Sequence, residues 1–169
     1  MKDREIQACE HYLKPGHIFL SRKPFVISAV LGSCVAVTLW DKKGTYGGMA
    51  HFLYPSIQEK EKSTAQYGNV AVLHLVKMLL DEGTNKKNMK AQIFGGAALP
   101  SLDCSRIARE NIRVARNTLM NCGIKVISED VGGNVGRKLV YNTLTNEAII
   151  YRANKLRKGD WYPYVDEDR

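Results

Sequence analysis

The residues of this sequence best suited to chemistry are one cysteine and one histidine. Cys34 follows Gly32 and Ser33, where a turn meets a β-rich segment, and His51 comes 17 residues later, near the end of the next such segment. A hairpin joining the two segments would bring the side chains together. A nearby imidazole can take the thiol proton and return it to a leaving group, which makes the cysteine a nucleophile. The spacing alone fits equally a buried inert cysteine and a core histidine, which are the commoner fates.

The surroundings of Cys34 offer two further parts of such a site. Gly32 and Ser33 precede the thiol, and the backbone amides of this turn would let a ligand approach and would stabilise an oxyanion. Ser28 lies six residues before Cys34 on the preceding apolar run, and its hydroxyl can accept the other N–H of the imidazole. If the site is catalytic, Cys34 is the candidate nucleophile, His51 the candidate base and Ser28 the candidate group that orients it.

The elements that must position these residues alternate between strand and helix patterns. The pattern predicts helices from about residue 67 up to Gly83 and from Ser105 to Asn121. Strands are predicted at residues 17–21, 25–30, 35–40, 45–52, 90–94, 124–128, 138–142 and 147–151. Strands at both ends of the chain around two helices indicate an α+β fold, a layered α/β sandwich with a mixed β-sheet and two main helices packed outside.

Composition sets the class of protein and excludes several functions. The 169 residues, 44% hydrophobic and 25% charged, indicate one globular domain, with residues 1–15 as an N-terminal arm and 153–169 as a charged tail. No apolar run reaches the ~20 residues of a membrane helix, and no secretory signal is visible, so a cytoplasmic location is expected. The four cysteines form no CxxC pair, which predicts free thiols and no metal site.

The charge of the chain favours an acidic partner. Lysine and arginine outnumber aspartate and glutamate by 25 to 17, giving a net charge of +8. Four arginines form one stripe along the second predicted helix: Arg106, Arg109, Arg113 and Arg116. The stripe fits either a solvated face or a docking strip for an acidic helical bundle. No aromatic residue interleaves it, so nucleic acid is not the expected partner.

Several ordered blocks of the sequence resemble the CheD family of chemoreceptor glutamine deamidases. The first block is Leu31-Gly32-Ser33-Cys34-Val35-Ala36-Val37, followed by Gly48-Met49-Ala50-His51. Later blocks are Gln66–Ala71, Ile93–Ala97, Ala108–Asn111, Glu129–Asn134 and Gly136–Lys138. The resemblance extends over roughly residues 16–152.

The resemblance implies a catalytic Cys34 and a catalytic His51, and it matches the family's third residue, usually threonine, to Ser28. Serine keeps the hydroxyl but lacks the methyl group that restricts χ1, so we expect a less tightly held imidazole. The resemblance also suggests that Tyr67 and Asn69 line the substrate cleft. The implied reaction needs no cofactor: it hydrolyses glutamine side chains on the cytoplasmic helical bundle of chemoreceptors, releasing ammonia. A CheC-type phosphatase is a further implied partner.

Two other functions remain open at this point. The protein would be a non-catalytic adaptor if it modulated receptors or a CheC-type phosphatase by occupancy alone. It would be an amidase or transamidase on another protein if an amine replaced water in the same chemistry. A histidine-activated Cys34 should alkylate well below pH 8, which separates an enzyme from an adaptor.

Overall fold

Nine strands and two α-helices follow one another in the computed structural model, which describes residues 9–44, 46–100 and 102–153. The first five strands are β1 (Cys9–Tyr12), β2 (His17–Ser21), β3 (Phe25–Leu31), β4 (Val35–Asp41) and β5 (Gly47–Phe52). They are followed by α1 (Gly68–Asp81), β6 (Met89–Gly95), α2 (Ser105–Asn121), β7 (Lys125–Val131), β8 (Gly136–Asn142) and β9 (Glu147–Ala153). No α-helix among these residues is long and apolar enough to span a membrane.

The strands form two mixed sheets. The four-stranded sheet has the order β1-β3-β8-β9, and the five-stranded sheet has the order β2-β5-β4-β6-β7. Each sheet contains one parallel pair, β1 with β3 and β6 with β7, and its other pairs are antiparallel. The chain passes between the sheets through the turn from β3 to β4, which contains Cys34.

The helices, the five-stranded sheet and the four-stranded sheet form three layers with an apolar core between each neighbouring pair. One core lies between the helices and the five-stranded sheet, where Leu75 of α1 and Ile112 of α2 pack with Val37. The other lies between the two sheets, where Ala36 packs with Leu139. β4 is buried along its whole length, because it lies at the centre of the five-stranded sheet with a layer on each face. This explains why its sequence is apolar apart from Thr38 and the terminal Asp41.

The α+β layered class with two outer helices is confirmed, with one correction to its detail. The strands build two packed sheets, because the sequence pattern shows where strands occur but not which strands pair. The predicted arm is also wrong for residues 9–12, which form β1, and Leu13 is a core residue. Residues 1–8 of the predicted arm and residues 154–169 of the predicted tail lie outside the described residues.

Candidate active site

Cys34 lies at the point where the chain leaves the turn between the two sheets. It directly precedes β4 and packs, half-buried, against the core between the sheets. The second residue of β4, Ala36, is the register partner of His51 in β5. Alternation along β4 puts Cys34 on the same sheet face as Ala36. The thiol and the imidazole are therefore diagonal neighbours on one face, as the predicted hairpin required.

His51 is fully buried and held in one tautomer. Its Nδ1 lies 3.0 Å from the carbonyl oxygen of Leu13. A carbonyl can only accept, so Nδ1 carries the proton and Nε2 carries the free lone pair. Nε2 has no hydrogen-bond partner among the described residues. The bare nitrogen is the one that a general base needs.

Burial keeps both groups uncharged at rest. It raises the pKa of the Cys34 thiol to about 11, against a weaker opposing hydrogen bond from the residue's own backbone N–H. Burial also lowers the pKa of His51 to about 4, with a further lowering from His17. No hydrogen bond joins the thiol to Nε2. The resting pair is thus a neutral thiol beside a neutral imidazole, contrary to the expected low-pKa thiol.

The structure does not bring the Ser28 hydroxyl to His51. Its neighbours in β3, Ile27 and Ala29, point into the core between the sheets, so Ser28 points to the outer face of the four-stranded sheet. Ser28 contributes through its backbone: its carbonyl accepts the N–H of Leu13 at 2.8 Å. The orienting bond predicted for the serine hydroxyl is made by the Leu13 carbonyl.

Gly95 and Gly96 form the wall behind the nucleophile. The N–H of Gly96 donates to the Cys34 carbonyl at 2.8 Å. Both glycines have positive φ, 103° and 70°, and a Cβ on Gly95 would collide with the Cys34 carbonyl oxygen. A Cβ on Gly96 would come within 2.5 Å of Ile112 in α2. The close approach of strand, turn and helix therefore requires glycine at both positions.

Asn111, which the sequence reasoning did not single out as a site residue, touches both halves of the site. From α2 its Nδ2 donates to the carbonyl of Ser33 at 3.0 Å and to that of Leu53 at 2.8 Å. Gly32 is held from another side, because its carbonyl accepts the N–H of Ala97 at 2.9 Å. The turn before Cys34 is therefore fixed by contacts with two other elements.

A comparison with known families matches more than half of the chain to one of them. The family model described as "CheD chemotactic sensory transduction" matches residues 54–152. The chain belongs to the CheD family. The match begins after Cys34 and His51, so the pairing of these two residues rests on the geometry described above.

Similar proteins include CheD proteins of bacteria and archaea. A protein of Trichlorobacter lovleyi named "Probable chemoreceptor glutamine deamidase CheD" is 36% identical over 86% of this chain and 92% of its own length. One of Anaeromyxobacter dehalogenans named "Probable chemoreceptor glutamine deamidase CheD 1" is 42% identical over 78% of this chain and 77% of its own. The relative in Methanococcus vannielii, with the same name as the first, is 33% identical over 86% of this chain and 96% of its own.

The two cleft residues suggested by the CheD resemblance lie beside the end of β5. Tyr67 precedes α1, and its ring lies 5.6 Å from that of Tyr54. Both ends of the Asn69 amide bond the backbone of Ile57, Nδ2 donating to its carbonyl at 2.8 Å and Oδ1 accepting its N–H at 3.1 Å. Asn69 therefore holds the loop after β5, and Tyr67 is the better candidate for contact with a substrate. A substrate-binding role for either residue stays a prediction.

His17 is a neighbour of the base on the adjacent strand. It is the register partner of His51 across β2 and β5, so its exposed ring lies on the same sheet face. Its proximity accounts for part of the lowered pKa of His51. No group of three or more His, Cys, Asp or Glu in the described part of the chain could hold a metal ion.

The arginine stripe of α2 divides into two pairs. Arg113 forms an ion pair with Glu110, and Arg116 forms one with Glu129. All four side chains are exposed, and neither Arg106 nor Arg109 forms an ion pair within the described residues. This unpaired half lies toward the N-terminal end of α2, the end next to the Gly95–Gly96 wall.

Proposed function

We propose that this CheD protein is a cysteine hydrolase that deamidates glutamine side chains of chemoreceptors. The observation that carries the proposal is the pairing of Cys34 with His51 on one sheet face, the imidazole presenting a bare Nε2. The names of the relatives supply the substrate class, a chemoreceptor glutamine. The partner proposed from the CheD resemblance is the receptors' helical bundle, which the protein meets in the cytoplasm.

The first half of the proposed reaction acylates the cysteine. As the Cys34 sulfur attacks the glutamine side-chain carbonyl, its proton passes to Nε2 of His51. Charge develops on the carbonyl oxygen, where the backbone N–H of Cys34 can donate to it. The imidazolium then returns its proton to the nitrogen, the C–N bond breaks, ammonia leaves and a thioester remains.

The second half of the reaction releases glutamate. His51 takes a proton from water, and the oxygen attacks the thioester carbonyl. The C–S bond breaks, and the imidazolium gives its proton to the leaving sulfur, which restores the thiol and the neutral imidazole. One water is consumed and one ammonia released for each glutamine. The neutral resting pair suits this sequence, because the proton moves only when a carbonyl is present to accept the sulfur.

The test is mass analysis of a receptor cytoplasmic fragment after incubation with the protein. Each conversion of glutamine to glutamate adds about one dalton and releases one ammonia, which peptide mapping locates. We expect Cys34→Ala and His51→Gln to abolish conversion. Cys122→Ala is the matched control, since Cys122 is equally half-buried but packs against the core on the helix side. Conversion by a folded Cys34→Ala protein would refute the proposal.

Ser28→Ala is a sharper test of how the imidazole is oriented. Because Nδ1 donates to the Leu13 carbonyl, we expect the variant to keep its rate within about threefold of the wild type. A loss near that of His51→Gln would mean that the hydroxyl reaches the imidazole during the reaction.

A non-catalytic adaptor is the second candidate, favoured by the absence of a hydrogen bond between the thiol and Nε2 at rest. It predicts tight receptor binding without conversion, and normal chemotaxis in cells that carry Cys34→Ala. A CheC-type phosphatase is a proposed competing partner under either function, on the resemblance alone. Competition is measured by adding the phosphatase to the conversion assay.

A further inference from the structure

The buried face of α2 is apolar except for one polar residue. Asn111 is fully buried near the middle of α2, on the face that carries Ala108, Ile112 and Ala115. Asparagine is a poor helix former, and a buried amide destabilises a protein unless it is hydrogen-bonded. The reason for its presence must lie in what its amide binds.

The amide of Asn111 joins the chain that enters the nucleophile to the chain that leaves the base. Ser33, whose carbonyl accepts at 3.0 Å, directly precedes Cys34. Leu53, whose carbonyl accepts at 2.8 Å, comes two residues after His51. The β4–β5 ladder ends at the pair Val35 and Phe52. One nitrogen therefore bridges the two segments where ladder bonds can no longer hold them.

The bond to Ser33 also fixes a donor in the site. In a trans peptide the C=O and the N–H point in opposite directions, and the described residues contain no cis peptide. Holding the Ser33 carbonyl toward α2 therefore turns the Cys34 N–H away from the helix. That N–H donates to no carbonyl among the described residues, and at rest it faces the sulfur of Cys34 itself, beside the reacting atom. The Cys34 carbonyl, in turn, is held by Gly96 at 2.8 Å.

The other end of the amide argues that the nitrogen is the part in use. Asn111 Oδ1 is buried without a partner, and His51 Nε2 is the other such side-chain atom among the described residues. If the side chain served only to fill space, an apolar residue of equal volume would avoid this unpaired oxygen. The two donated bonds explain why an amide stands there.

We propose that Asn111 is a positioning residue for the nucleophile, holding the Ser33–Cys34 peptide so that the Cys34 N–H is aimed at the developing oxyanion. The reaction it serves rests on the proposed function. Asn111 touches no reacting atom and acts through this peptide.

The test compares two electrophilic reagents that react with the same thiol. Acylation of Cys34 by p-nitrophenyl acetate forms an acetyl thioester through an oxyanion and releases p-nitrophenolate. Alkylation by iodoacetamide displaces iodide with no oxyanion. In Asn111→Leu, which keeps the number of side-chain heavy atoms but not the donor, we expect acylation to slow at least 30-fold, since removing an oxyanion donor costs about 100- to 1000-fold. Alkylation should change less than threefold.

Thr38→Val is the matched control. It removes a buried side-chain bond of similar length, Thr38 Oγ1 to Gln92 at 2.9 Å, from the middle of β4. We expect it to lower the melting temperature without changing the ratio of the two rates. Equal slowing of both reactions in Asn111→Leu would show a merely loosened site and overturn the proposal. Unchanged acylation, or a wild-type thiol that alkylates but does not acylate, would overturn it as well.

A second variant covers the case in which Asn111→Leu does not fold. Asn111→Asp is isosteric, and its carboxyl donates one hydrogen bond when protonated and none when ionised. The acylation rate of the variant relative to that of the wild type should therefore fall as the pH rises. The ratio of the two alkylation rates should stay the same at every pH. A ratio independent of pH would contradict the positioning role. Neither reagent needs a receptor, so failure of the wild type to release ammonia would refute the deamidase and leave this result standing.

Discussion

At the scale of single residues, the site depends on two shifted pKa values whose main cause is the same. Both side chains lie in the core between the sheets, where a charge loses its hydration. Desolvation therefore raises the pKa of the acid Cys34 and lowers that of the base His51. The arrangement stores the reactive proton on sulfur until a substrate carbonyl enters.

The first prediction concerns the reactivity of this thiol. With the pKa of Cys34 near 11, its alkylation by iodoacetamide should rise about tenfold per pH unit from pH 7 to pH 10, because only the thiolate reacts. Mass analysis of the peptide that contains Cys34 measures the rate apart from the other three cysteines. A plateau reached below pH 8 would contradict the buried neutral thiol and support the low-pKa thiol expected from the sequence.

A second prediction concerns acid stability. The pKa of His51 is lowered from 6.5 to about 4, so between these values the unfolded chain binds a proton that the folded chain does not. The contribution of His51 to stability is therefore present above pH 6.5 and is lost as the pH falls toward 4. From pH 7 to pH 5 this histidine should reduce the free energy of unfolding by about 2 kcal/mol.

Denaturant titrations at both pH values measure that loss. His51→Gln should remove about 2 kcal/mol of the pH dependence, whereas His74→Gln, which changes an exposed histidine on α1, should leave it in place. Equal pH dependence in wild type and His51→Gln would show that another group dominates acid unfolding.

At the scale of elements, the wall formed by the end of β6 depends on glycine. Gly95→Ala should destabilise the fold by about 1–2 kcal/mol through its positive φ alone. Its Cβ would also push the Cys34 carbonyl, so ammonia release should fall at least tenfold. Gly44→Ala is the matched control, because φ is 79° there and a Cβ would meet nothing within 4 Å. Similar activity in the two folded variants would contradict the role of the wall.

The elements also show how far sequence can predict a site. The hairpin pairing of Cys34 with His51 was accessible, because strand pattern and spacing determine which side chains share a face. The placement of Ser28 could not be predicted in this way, because β3 is apolar on both faces and its sequence does not show which face Ser28 lies on. The Leu13 carbonyl carries no side-chain signal at all. Asn111 left one trace, a polar residue on the apolar face of a helix pattern.

At the scale of the whole molecule, the positive charge reaches the site through α2. Arg106 and Arg109, which form no ion pair in the part of the chain that the structure describes, lie toward the end of α2 that contacts the glycine wall. The first turn of α2 also contains no acidic residue, so the helix dipole adds to the positive potential there. An acidic receptor bundle approaching Cys34 would meet this region.

The last prediction tests whether that potential guides docking, on the assumption that receptors are the substrate. Arg106→Gln with Arg109→Gln should raise KM for a receptor fragment at least fivefold at low salt and leave kcat unchanged. The control is Arg113→Gln with Arg116→Gln, which removes the same charge from arginines already paired with glutamate. At 0.5 M salt the first variant and the wild type should converge, since the Debye length is then only about 4 Å. Equal effects of the two double variants would mean that net charge, and not the position of the unpaired arginines, governs docking.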